Sequence, residues 1–233
     1  MVELRFPPRI LLITAIVAVV VFVLLGLLYT IGSPANRVDV WLGTLLHDLN
    51  DRHIDWITLS MNAVSFFGGN GLLFIAAAVV AYLVFRRAWP ELFLWIVAVG
   101  GVIVFNRVLK EYFEVLRPVV GHEDRFEEST GFPSGHAMIA LVTYGLLAAL
   151  VAPQTAARSA RLSVWGGASL LILLIGFSRL YLSVHYLSDV IGGYAAGLAW
   201  LAACLWVYLV VARRYRGLRS RHEITGIPDS PVG

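Results

Sequence analysis

The sequence predicts an all-α protein: a bundle of six transmembrane helices, with additional interfacial helices between the first and second spans. Three observations predict it. Charged residues make up only 14% of the 233 residues, where soluble domains run near a quarter. Mean hydropathy is +0.79, and uncharged runs long enough to cross a bilayer recur along the chain. Arginines gather in alternate gaps between those runs, as a multi-pass topology requires.

The first run, Ile10 to Ile31, holds 22 residues without a charge. As a helix it measures about 33 Å, enough for a hydrocarbon core of about 30 Å. Its length and flanks fit a retained anchor and not a cleaved signal peptide. No charge appears between Asp55 and Arg86, which is too long for one straight span. The stretch "FFGGNG", Phe66 to Gly71, offers a break. A span from Gly71 to Phe85 follows, preceded by surface-lying helices at Asp39 to Leu49 and Ile54 to Phe66. A single long tilted helix is the alternative. The third span runs from Glu91 to Phe105 and continues as helix past Lys110. The fourth covers His136 to Val151, the fifth Leu162 to Phe177 and the sixth Val190 to Val211.

Six spans put both termini on one side. Arg5, Arg9, Arg86, Arg87, Arg158, Arg161 and the arginines after Ala212 all fall on that side. The positive-inside rule makes it cytoplasmic. Residues 1–212 therefore read as one integral-membrane domain, and 213–233 as a basic, disordered cytoplasmic tail. One cysteine, Cys204, lies within an apolar run, so no disulfide framework is expected. The small net charge of +3 is explained by topology, and no nucleic-acid partner is expected. Oligomeric state stays open.

The other face carries basic residues that the topology does not explain. "KEYFEVLRP" places Lys110 and Arg117 two helical turns apart, on one face. They can close on one anion, or simply reach for headgroups. "PSGH" puts Ser134 at an N-cap and Gly135 at a helix start, where unpaired amides bind anions. His136 follows in the first turn. "SRLYLSVHYLSD" spaces His185 and Asp189 four apart, so they meet on one helix face. A carboxylate on one imidazole nitrogen fixes the tautomer and leaves the other as base or nucleophile. Arg179 lies six residues upstream, at the exit of the fifth span. Each piece alone has a plainer reading: snorkelling, an ordinary cap, a structural hydrogen bond. Together they fall on one face of a topology set by other arginines. Ionisable groups near membrane depth are costly, about 2.5–3.5 kcal/mol each on insertion scales, and default to functional candidates. No Cys/His cluster or carboxylate pair with metal-ligand spacing accompanies them. Such a set binds a phosphate and attacks it without a metal or other cofactor.

In order along the chain, Lys110…Arg117-Pro118, Pro133-Ser134-Gly135-His136 and Ser178-Arg179…His185…Asp189 resemble the three motifs of the type-2 phosphatidic acid phosphatase superfamily. The likeness is to its six-span bacterial membrane branch, which includes phosphatidylglycerophosphate and undecaprenyl-diphosphate phosphatases. The resemblance implies roles at the matching positions. His185 becomes the nucleophile that forms a phosphohistidine, and Asp189 orients it. His136 protonates the leaving oxygen and then activates water. Lys110, Arg117, Ser134, Gly135 and Arg179 hold the phosphoryl oxygens, while Pro118, Pro133 and Ser178 shape the loops. The implied partners are a membrane lipid phosphate and the bilayer; the topology read from the arginines puts the active site on the extracytoplasmic face. Many members have proline where Leu187 stands and glycine where Ser183 stands. A lipid phosphotransferase and a non-catalytic lipid-phosphate binder are the competing readings. The acidic loop Gly121 to Thr130, with Glu123, Asp124, Glu127 and Glu128, reads as solvated or as a gate against soluble anions.

Overall fold

A computed structural model describes residues 6–31, 37–51, 55–113 and 131–225. The elements among the described residues are all helices, without strands. α1 (Pro8–Ile31) is the first span, and α2 (Arg37–Asp51) and α3 (Asp55–Phe66) follow it. A turn at 67–69 leads into α4 (Asn70–Phe85). α5 (Trp89–Trp95) and α6 (Gly101–Phe113) form one continuous span through a π-helical segment, Ile96–Gly100. α7 (Gly135–Val151), α8 (Arg158–Tyr181) and α9 (Leu187–Thr225) complete the bundle. Six helical stretches are long and apolar enough to span a membrane, as the sequence predicts.

α7 is the hub. About two thirds of its span is buried inside the protein, and it packs between α8 and α9. Its Met138, Val142, Leu146 and Ala149 join Trp95, Ala98 and Val102 of the third span and Leu201, Leu205 and Leu209 of α9 in the main core. The outer helices turn apolar side chains outward: Leu28 of α1, Phe74 and Phe85 of α4, and Leu170 of α8 are exposed. In water this surface would be untenable; in a bilayer it is the expected boundary.

Glycines set how closely α9 approaches α7. A Cβ on Gly193 would lie 2.5 Å from the Ser134 carbonyl oxygen, and one on Gly197 would lie 2.8 Å from that of Met138. This is small-residue packing of the membrane type, used here within the chain.

The break at "FFGGNG" is real: Phe67 to Gly69 form a turn between separate helices. α2 suits a surface position, with Val38, Trp41, Leu45 and Leu49 exposed and Asp39 and Leu46 buried. The basic segment after Ala212 was expected to be disordered, but α9 continues through it to Thr225. Arginine and leucine are good helix formers, and the segment extends a helix already nucleated; residues 226–233 lie outside the described part. The π segment was also unforeseen. It offers the Ala98 carbonyl to the Trp200 indole N–H at 2.9 Å, and Gly101 lies against the same ring. A π-bulge thus lets the third span take up a tryptophan of α9.

Candidate active site

The candidate residues gather where the start of α7, the end of α8 and the start of α9 meet. Ser134 occupies the N-cap of α7 in extended conformation. Its amide donates to the Asp189 carbonyl at 3.0 Å, which fastens the mouth of α7 to the first turn of α9. The Ser134 hydroxyl does not cap its helix. It is fully buried and has no hydrogen-bond partner among the described residues, an arrangement that costs free energy unless a ligand or water completes it. Next to it, Gly135 lies against Asn106 of α6: a Cβ there would sit 2.9 Å from Oδ1. Asn106 also donates to the Met138 sulfur at 3.5 Å. Lys110 is one turn further along that face of α6, half-buried near the helix end.

His185 and Asp189 meet, but not on one helix face. α9 begins at Leu187, so His185 is in the connecting segment and Asp189 is in the first turn. The Asp189 Oδ2 accepts from the Tyr186 amide at 2.9 Å and from His185 Nδ1 at 3.3 Å. The first bond is one half of a capping box, a third-position carboxylate reaching back to the residue before the helix. The second is long for such a bond. It directs the Nδ1 proton toward the carboxylate and leaves the Nε2 lone pair as the reactive one. Both side chains are buried.

His136 sits in the first turn of α7, and its imidazole lies against the α3–α4 turn. A Cβ on Gly69 would lie 2.9 Å from His136 Nε2, and one on Gly68 would lie 3.3 Å from Cδ2. Arg179, in the last turn of α8, donates from Nη1 to the Ser65 hydroxyl at 2.6 Å. Ser178 beside it is buried and bonds its own helix, Oγ to the Ile175 carbonyl at 2.7 Å. Arg117, Pro118 and the acidic loop lie outside the described residues, so the Lys110–Arg117 clamp is not visible.

Sequence reasoning missed three contributors. Ser65, Gly69 and Asp39 all come from the segment read only as surface helices and a break. Asp39 is buried, and its Oδ1 accepts from the Ser188 amide at 3.0 Å. It thereby satisfies an unpaired donor in the first turn of α9 from another element. Tyr186 lies near both Asp39 and Asp189. Burial first, and then the two carboxylates, push its phenol above the usual value, so it stays neutral at working pH. Only the doubled glycine hinted at a close approach; nothing in the sequence distinguishes Ser65 or Asp39 from ordinary polar positions.

Chemically, the arrangement presents an oriented histidine–carboxylate pair, a second histidine, two cations and a helix start with a spare hydroxyl. Among the described residues no three His, Cys, Asp or Glu side chains group as metal ligands do. Comparison with known families matches residues 91–214 to the PAP2 superfamily. The chain is 32% identical over 149 residues to phosphatidylglycerophosphatase B of Bacillus subtilis (strain 168), covering 61% of this chain and 71% of that protein. Its fold resembles the crystal structure of a transmembrane PAP2-type phosphatidylglycerolphosphate phosphatase from Bacillus subtilis. There the TM-score is 0.68 at 24% identity, over 82% of this chain and 94% of the other. It also resembles Aquifex aeolicus LpxE, with a TM-score of 0.56 at 23% identity, over 73% and 96% of the two chains. This multi-pass membrane protein belongs to the PAP2 superfamily.

Proposed function

We propose that the protein is a membrane lipid phosphatase that removes the terminal phosphate of a lipid phosphate or diphosphate. Phosphatidylglycerophosphate, undecaprenyl diphosphate and phosphatidic acid are the candidate substrates. The observation that supports this most is the junction of α7 with α9. It sets the oriented His185–Asp189 pair beside the unsatisfied Ser134 hydroxyl, through the bond from the Ser134 amide to the Asp189 carbonyl.

The reaction has two halves. His185 Nε2 attacks phosphorus, a P–N bond forms, and the P–O bond to the lipid breaks. His136 gives its proton to the leaving oxygen. The buried carboxylate of Asp189 stabilises the positive charge that develops on the imidazole. Water then attacks the phosphohistidine, His136 takes back a proton, and the P–N bond breaks to release orthophosphate. The covalent step divides one hard displacement into two easier ones, and the acid contributes about 10²–10⁴-fold. Lys110, Arg117, Arg179, the Ser134 hydroxyl and the Gly135 amide neutralise the phosphoryl oxygens. No step is routed through a metal.

The setting is a bacterial cytoplasmic membrane, with both termini cytoplasmic and the site on the outer face. The α7 mouth opens there, so a lipid can present its phosphate while its tail stays in the bilayer.

The test is phosphate release from the three lipids by detergent-purified protein, with a chelator present, beside His185→Ala. Wild-type release that falls by at least about 10³-fold in the variant is expected. Release that survives the substitution would rule out the phosphohistidine, and no release from any lipid would remove the hydrolase reading.

A further inference from the structure

The segment between α3 and α4 lies outside the residues that match the family, yet it touches two candidate site residues on different helices. Ser65, in the last turn of α3, is buried and accepts from Arg179 Nη1 at 2.6 Å. Gly69, four residues on, faces the ring of His136. The turn between them is held on both sides. The Tyr144 hydroxyl of α7 donates to the Phe67 carbonyl at 2.7 Å. A side chain on Gly68 would force Ile175 of α8 to shift and would press on the His136 ring. α3 also packs along α8. The turn is therefore fixed to the helix that carries His136 and to the helix that carries Arg179.

We propose that Ser65 and Gly69 are positioning residues: Ser65 holds the Arg179 guanidinium toward the phosphoryl site, and Gly69 seats the His136 imidazole. This rests on the phosphatase reading above. An arginine side chain has many rotamers, and freezing them on binding is costly. A buried hydroxyl on one guanidinium nitrogen removes part of that cost in advance. The glycine works by absence. A methyl 2.9 Å from Nε2 meets the end of a side chain that can rotate, so it displaces the ring without breaking the bundle. A proton donor displaced by even about 1 Å loses much of its contribution. The two ends of one turn thus govern two different parts of the reaction, and damage at each should read differently.

The experiment uses full-length protein in detergent, with orthophosphate binding measured by calorimetry and turnover measured on the lipid that wild type hydrolyses best. Ser65→Ala should weaken orthophosphate binding and raise KM by roughly tenfold, with kcat largely kept. On an Arg179→Lys background the same substitution should cost less than about twofold, because its effect runs through that arginine. Gly69→Ala should bind orthophosphate as wild type does and lose at least about tenfold in kcat. Unchanged binding in Ser65→Ala, or a cost undiminished beside Arg179→Lys, would overturn the role of Ser65. Wild-type kcat in Gly69→Ala would overturn that of Gly69. Equal losses in kcat and KM at both positions, with a lowered unfolding temperature, would show plain loosening and overturn both. Wild type that binds orthophosphate but hydrolyses no lipid would defeat the phosphatase reading and leave the Ser65–Arg179 result standing by itself.

Discussion

Among the described residues, Arg87 and Ser183 take up positive φ without being glycine, at 51° and 56°. Both stand just past a helix and close the same motif. At the end of α4, the Arg87 amide donates to the Val84 carbonyl and the Ala88 amide to that of Leu83. At the end of α8, the Ser183 amide donates to Leu180 and the Val184 amide to Arg179. These are Schellman pairs, and glycine is the residue they favour. The second motif matters to the site, because it reverses the chain and delivers His185 two residues later. Ser183 also has a buried hydroxyl with no hydrogen-bond partner among the described residues. Ser183→Gly relieves a left-handed conformation worth about 1–2 kcal/mol, against an entropy cost of about 0.5–1 kcal/mol. A net gain of about 0.5 kcal/mol, seen as a raised unfolding temperature in detergent, is the expected result. A lowered temperature would mean that the serine makes a contribution beyond its geometry. Leu187 has a similar explanation: it is the first residue of α9, where proline fits without losing a bond.

At the scale of the element, α2 is the helix whose contribution the sequence concealed. Its exposed Trp41 and Leu45 fit a helix lying on the bilayer surface. Its buried Asp39 holds the first turn of α9, one residue from Asp189. Asp39→Ala leaves a buried amide unpaired and should cost about 1–3 kcal/mol, together with a drop in turnover. Asp39→Asn keeps an accepting oxygen and should lose only about 0.5 kcal/mol, the charge–dipole part. Thermal unfolding and phosphate release on both variants check this; an alanine variant equal to wild type would mean the bond is incidental. Spans and breaks were legible because each is a local pattern: an uncharged run, a doubled glycine, a cluster of arginines. The contacts of Asp39 and Ser65 were not, because each joins residues more than a hundred positions apart and neither end is marked by its neighbours. The His185–Asp189 contact was legible for a different reason than the one that holds it. Spacing by four suggested a helix face, and a cap at the start of α9 produces the same meeting.

The whole molecule places its candidate chemistry at one end of α7. Gly135 to Val151 measures about 24 Å as a helix, and the far end is occupied by a different polar contact: the Tyr208 hydroxyl donates to the buried Glu91 at 3.1 Å, joining α5 to α9. On the proposed topology, six spans return the chain to the cytoplasmic side where it began. A green fluorescent protein fused after Gly233 in a bacterial host should therefore fluoresce, and a periplasmic phosphatase reporter at the same point should stay inactive. The opposite pair of results would turn the site inward and reverse the access argument. That the six spans form this bundle followed from composition. How tightly α7 and α9 approach did not, because the glycines that permit it also occur in ordinary membrane helices.

The bond from the Ser134 amide to the Asp189 carbonyl has a consequence for how the protein is made. A ribosome that has finished α8 and the segment after it has already produced both histidines, Lys110 and Arg179. It has not yet produced Asp189, or the glycines on which α7 closes. The nascent chain thus enters the membrane with its reactive groups present but unassembled. On the proposed mechanism competence arrives only with the last helix, and a product truncated before it should be inert toward the lipids around it.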